Sequence, residues 1–178
     1  MANKVYFVLV LGIAAFVGYA VYAQKKRNAE YANELTQVAK NGELALAYET
    51  SIKVEVGFDN NRRYEKFNPG DEITENGAKK SVSNAIVTIK VFPEDKNKTP
   101  FEAEWFYENL PIAEIERIAT LIHRKRQQPF AVKYRKSQTE AGKYTVAQLD
   151  ATQYQRQKTT FDALEKRARQ DASFWPAQ

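Results

Sequence analysis

The sequence predicts an α+β fold: an N-terminal single transmembrane helix, followed by an antiparallel sheet with helices packed on one face. Three observations carry that expectation. Val5 to Ala23, VYFVLVLGIAAFVGYAVYA, holds no charge and no Asn, Gln, Ser or Thr. Beyond it, the apolar pattern alternates between a period near 3.6 and a period of 2. The resulting order is anchor, helix, a set of strands joined by turns, helix, two strands and helix, an α+β succession without internal repeats.

The apolar stretch sets the frame. At ~1.5 Å rise per residue, a helix over residues 5–23 is roughly 28 Å long, close to the ~30 Å hydrocarbon core of a bilayer. A signal peptide is the competing reading, since Lys4 gives a weakly basic start and Val21-Tyr22-Ala23 ends on a small residue. The run is longer than the ~7–15 residues of a signal core. It is also followed at once by Lys25, Lys26 and Arg27, which oppose export of the adjacent chain. A retained single-pass anchor is therefore expected, with these three cations against anionic lipid headgroups. Tyr6, Tyr19 and Tyr22 fall near the two interfaces, as an aromatic belt requires. Ala14 and Gly18 have the small-xxx-small spacing that lets another membrane helix approach. Positive charges favour a cytoplasmic C-terminal side, yet a short tail before one anchor also describes exported domains, so both orientations stay open.

About 150 residues follow the anchor and its flank, enough for one domain with a core of its own. A hydrophobic fraction of 43% and an aromatic fraction of 12% oppose disorder. The chain has no cysteine, which excludes disulfides, thiolate metal sites and a cysteine nucleophile. The net charge of +5 suits an anionic membrane surface, nucleic acid or plain solubility.

A juxtamembrane helix or stalk is expected over residues 24–50. Tyr31, Leu35 and Val38 recur at helical spacing, Gly42 interrupts or caps them, and Glu43 to Tyr48 add a turn or two. Residues 51–170 form the α+β domain. Ile52, Val54, Val56 and Phe58 alternate as a half-buried strand, and Arg62 to Phe67 return as its hairpin partner. Asn68 to Gly77 read as turns and surface loop. Val82 to Phe92 and Phe101 to Tyr107 pair as strands around the turn PEDKNKTP. A helix starts at Pro111 with the stripe Ile112, Ile115, Ile118, Ala119 and Ile122. Phe130 to Tyr134 and Tyr144 to Leu149 form two more strands. Asp150 caps a final helix with Tyr154, Phe161, Leu164 and Ala168 inward. In the tail, residues 171–178, Phe174 and Trp175 either pin the terminus to the domain or dock a partner; they are kept as candidate docking residues.

No residue pattern supplies catalytic, metal-binding or cofactor chemistry. His123 stands alone in the last turn of its helix, where a cation suits the dipole. Glu102 and Glu104 share one strand face, the ordinary wet side of an antiparallel sheet. Arg124, Lys125 and Arg126 form a candidate basic patch. With Arg62-Arg63 and Lys133, Arg135 and Lys136, they raise nucleic acid as a weaker partner class. The expectation is a non-enzymatic, single-pass membrane subunit of a multiprotein assembly, with the bilayer and other subunits as partners and no cofactor. In layout only, with no residue motif behind it, the chain resembles bitopic subunits of bacterial secretion, pilus-assembly or conjugation machines and of membrane-containing virions. The alternatives are a membrane-tethered nucleic-acid-binding module and, more remotely, an anchored enzyme.

Overall fold

The computed structural model describes residues 25–26, 28–57, 62–75, 77–171 and 174–175. The expected membrane span, with Ala14 and Gly18, lies outside these residues, as does Arg27. Among the described residues no helix is long and apolar enough to cross a membrane.

The fold is α+β with an antiparallel sheet. Helix α1 covers residues 28–41. Strand β1, Glu43–Val56, follows at once, then β2, Arg63–Lys66, and a small hairpin of β3, Thr74–Glu75, and β4, Ala78–Lys79. The chain continues through β5, Val82–Pro93, β6, Phe101–Pro111, α2, Ile112–His123, β7, Phe130–Lys136, and β8, Tyr144–Gln148. Helices α3, Ala151–Arg156, and α4, Lys158–Ala168, complete it. The main sheet has the order β6-β5-β1-β7-β8, with β2 also paired to β1. The long β1 is thus central: β5 flanks one side, while β7 and β2 share the other, at residues 43–47 and 53–56.

Residues 43–48 correct the expected extension of the first helix. ELALAY has good intrinsic helix formers, but Ala45, Leu46, Ala47 and Tyr48 are all buried in the middle of the sheet. A strand covered on both faces reads as a continuous apolar run and hides its period of 2. The phase also breaks. Ala45 and Ala47 share one core with Ile52 and Val54, although their numbers differ in parity. The register shift between Glu49 and Ser51 inserts the extra residue that reconciles them. Leu46 and Tyr48 face the opposite core.

Both faces of β1 therefore need cover, which corrects the expectation of helices on a single face. Ile115, Ile118 and Ala119 of α2 share one core with Ala47, Val87 and Val132 on one side. Phe161, Leu164 and Ala168 of α4 pack with Leu46, Tyr48 and Phe92 on the other. The sheet also curls towards α2. Four flat inter-strand steps would hold β6 and β8 about 19 Å apart. Instead the rings of Phe101 and Tyr144 stack at 4.2 Å, and Trp105 Nε1 donates to the Val146 carbonyl at 2.9 Å.

Local signals match several expected boundaries. Asp150 and Gln153 form a reciprocal capping box at the start of α3. Gln157 divides the expected last helix into α3 and α4. Gly42 closes α1, its N–H donating to the Val38 carbonyl at 2.8 Å. A β-carbon at Gly42 would lie 2.5 Å from that carbonyl and 3.1 Å from the Tyr134 carbonyl. No larger residue fits without moving backbone.

Candidate functional site

The most developed surface feature lies beside α1. The helix lies against the seam where β6 and β8 approach, leaving a groove on each flank. On one flank Leu35 and Ala39 face Trp105, Tyr107 and Val146 across a cleft of about 410 Å³. On the other, α1 residues 28–37, the outer side of β5 and β6, and the β7–β8 turn enclose about 1300 Å³.

A buried carboxylate fixes that second groove. Glu34 sits on the inward side of α1 and is only 7% exposed. Its Oε1 accepts from Thr145 Oγ1 and from the Gln138 N–H, both at 2.7 Å. Its Oε2 accepts from Thr139 Oγ1 at 2.8 Å and Ser137 Oγ at 3.4 Å. Burial pushes the Glu34 carboxyl up, but the bonds from Thr145, the Gln138 amide, Thr139 and Ser137 outweigh it and hold it below the ordinary range. The helix is further tied by Lys133 Nζ, which donates to the Lys40 carbonyl at 2.9 Å. α1 is thus built onto the domain through polar contacts at its middle and at its C-terminal end.

The groove is acidic. Glu30, Glu34, Glu102, Glu104 and Glu140 line it, with Lys143. Lys143 pairs with Glu140 at 2.7 Å, and Lys90 stands opposite Glu102 in the β5–β6 register. Two rings open onto the same space, Tyr31, 36% exposed, and Phe106, 50% exposed. Exposed carboxylates beside aromatic faces suit a cationic side chain, by charge, by ring contact and by packing of its aliphatic stem.

A second polar cluster lies under α2. Burial raises the Glu49 carboxyl. Burial, with Glu49, Glu114 and Tyr31 nearby, pushes the Tyr107 phenol up to about 12. Arg117 donates to both Glu114 oxygens, at 2.9 and 2.6 Å, and holds that carboxyl down. Among the described residues no group of His, Asp and Glu could hold a metal ion.

Of the residues singled out from the sequence, Glu102 and Glu104 line this groove and the basic candidates do not. Lys25 and Lys26 are exposed, and Lys26 approaches Glu30 at 3.9 Å. Arg124, Lys125 and Arg126 are exposed on the turn that closes α2. Arg135 and Lys136 end β7, five and six residues or roughly 17–20 Å beyond its start at Phe130, so the topology does not gather one patch. Glu102 and Glu104 are exposed on the outer side of β6, as expected.

The aromatic tail corrects its candidate docking role. Phe174 is fully buried, 4.9 Å from the Tyr48 ring and 5.0 Å from Phe92, and its carbonyl accepts from the Tyr48 hydroxyl. Trp175 stacks on Tyr48 at 5.8 Å and donates to the Ala168 carbonyl at 2.7 Å. These rings complete the core under α4 and pin the chain there. Glu34 is the residue that reading the sequence missed. A single Glu on a helix resembles a solvated position, and its one signal was its place beside Val38 and Leu35 on the stripe.

The fold and groove define a class only: an α+β domain with a curled antiparallel sheet, carrying a helix clamped across its seam. No protein-family model, curated protein or solved structure matches the chain.

Proposed function

We propose that the chain is a non-enzymatic, single-pass membrane subunit of a multiprotein assembly, with the bilayer and other subunits as its partners. The observation that carries this reading is the clamp on α1. The apolar stretch of residues 5–23 leads within five residues into a helix that Glu34 fastens to the folded domain. An anchor on such a helix would hold the domain in a set orientation at the membrane, where a free stalk would let it wander. The open aromatic and acidic groove, beside the same helix, supports contact with another protein.

The test is chemical cross-linking in native membranes, with mass-spectrometric identification of neighbours, alongside carbonate extraction. The chain is expected to stay in the membrane pellet and to cross-link to other subunits. A chain that washes off with carbonate, or runs as a strict monomer with no neighbour captured, overturns the proposal.

A further inference from the structure

We propose that the groove beside α1 receives the basic segment Lys25-Lys26-Arg27 of a second copy, so that copies in one bilayer associate side by side. This rests on the membrane-subunit reading above.

Charge is the first support. The chain carries +5 overall, yet this groove is lined by five carboxylates and one lysine. Glu34 is committed to its four donors and Glu140 to Lys143. Glu30, Glu102 and Glu104 are exposed along the walls. The second support is the apolar surface. Among the described residues three large apolar side chains are exposed, Tyr31, Val82 and Phe106, and two of them line this groove. Rings beside carboxylates are the surroundings in which Lys and Arg lose least on leaving water.

Height is the third. Anchors in one bilayer hold every copy at the same level. Glu30 and Glu34 stand four and eight residues beyond Lys26, roughly 6 and 12 Å along a helix. The basic segment of one copy is therefore within about one to two helical turns, in height, of the membrane-proximal wall of its neighbour's groove, which the length of a Lys or Arg side chain helps to span. Within one chain, Lys26 and Glu30 form only a 3.9 Å pair between half-exposed side chains, which leaves the lysine free to exchange. The contact joins two different patches, so it is head-to-tail and builds a ring or an open row.

Headgroup contact draws on the same cations, and the experiment separates the two. Because the chain has no cysteine, introduced thiols report on single pairs. Two full-length, differently tagged chains, one carrying Lys26→Cys and one Glu104→Cys, are co-expressed in membranes and treated with a short bis-maleimide. A cross-linked heterodimer is expected, at least fivefold above that from Lys26→Cys with Arg126→Cys. Replacing Glu30 and Glu102 by Lys in the acceptor chain should reduce the yield about fivefold, and Lys25→Glu with Arg27→Glu in the donor should restore it. A 26–104 yield no higher than the 26–126 control overturns the inference, as does a yield indifferent to these reversals, which is the headgroup result. If the chain still cross-links to other proteins, or the thiol introduced at position 104 captures a different protein, the second-copy occupant fails while the subunit reading stands. A strict monomer overturns both.

Discussion

Replacing Glu34 probes how α1 is held. In Glu34→Ala all four hydrogen bonds disappear. Ser137, Gln138 and Thr139 belong to an open turn, where water can replace the carboxylate. Thr145 is 3% exposed, so its hydroxyl is left without a partner. An orphaned buried donor costs ~1–3 kcal/mol, and bonds to a charged acceptor contribute ~1.5–3 kcal/mol each when intact. Counting Thr145 in full and the turn donors in part gives a loss of about 3 kcal/mol. For a domain of this size that lowers Tm by roughly 6–12 °C. Glu34→Gln keeps one carbonyl oxygen for Thr145 and the Gln138 amide, and should lose only about 1 kcal/mol.

The same site sets a pH dependence. The folded carboxyl lies below its ordinary value of 4.5. Its stabilisation is therefore complete above the unfolded value and lost as pH falls through the folded one. Glu43, held down by Lys98 and Tyr134, and Glu114, held down by Arg117, act in the same window. The informative quantity is thus the wild-type Tm minus that of Glu34→Gln, measured by circular dichroism on full-length chains in detergent. This difference should shrink as pH falls below the ordinary value of 4.5 and through the lower folded value. A Glu34→Ala variant within 1 °C of wild type, or a pH-independent difference, would refute the clamp.

Two further substitutions test other parts of the fold by the same unfolding assay. Gly42→Ala places a β-carbon 2.5 Å from the Val38 carbonyl, and should cost ~1–3 kcal/mol by forcing the α1–β1 junction apart; wild-type stability would show that the junction is slack. Phe174→Ala removes a fully buried ring between Tyr48 and Phe92 and should cost ~3–5 kcal/mol. An unchanged Tm there would mean that the terminal aromatics lie outside the core, returning them to a docking role.

Much of the fold was legible in residue order. The β5–β6 and β7–β8 hairpins, the Pro111 start of α2 and the Asp150 cap rest on turn chemistry and periodicities that act over a few residues. So do the wet placement of Glu102 and Glu104 and the Gly42 stop. The first half of β1 was not legible, because a central strand buried on both faces loses its alternation, and the shift near Thr50 reverses its phase. Helix placement on both faces follows from that same strand. The groove was legible only in pieces: Tyr31 as part of a stripe, and Glu102 and Glu104 as a wet strand face.

The expectation of a membrane address comes from residues 5–23 alone, from the length and hydropathy of that stretch along the chain. Local order likewise determined several element boundaries, at Gly42, Pro111 and Asp150. Only the tertiary structure decided that Glu34 is a buried tie, that Phe174 belongs to the core, and that five carboxylates and two rings meet beside α1. Each depends on donors or rings more than a hundred positions away, or on strands that meet because the sheet curls, and contacts of that range leave no period in the sequence.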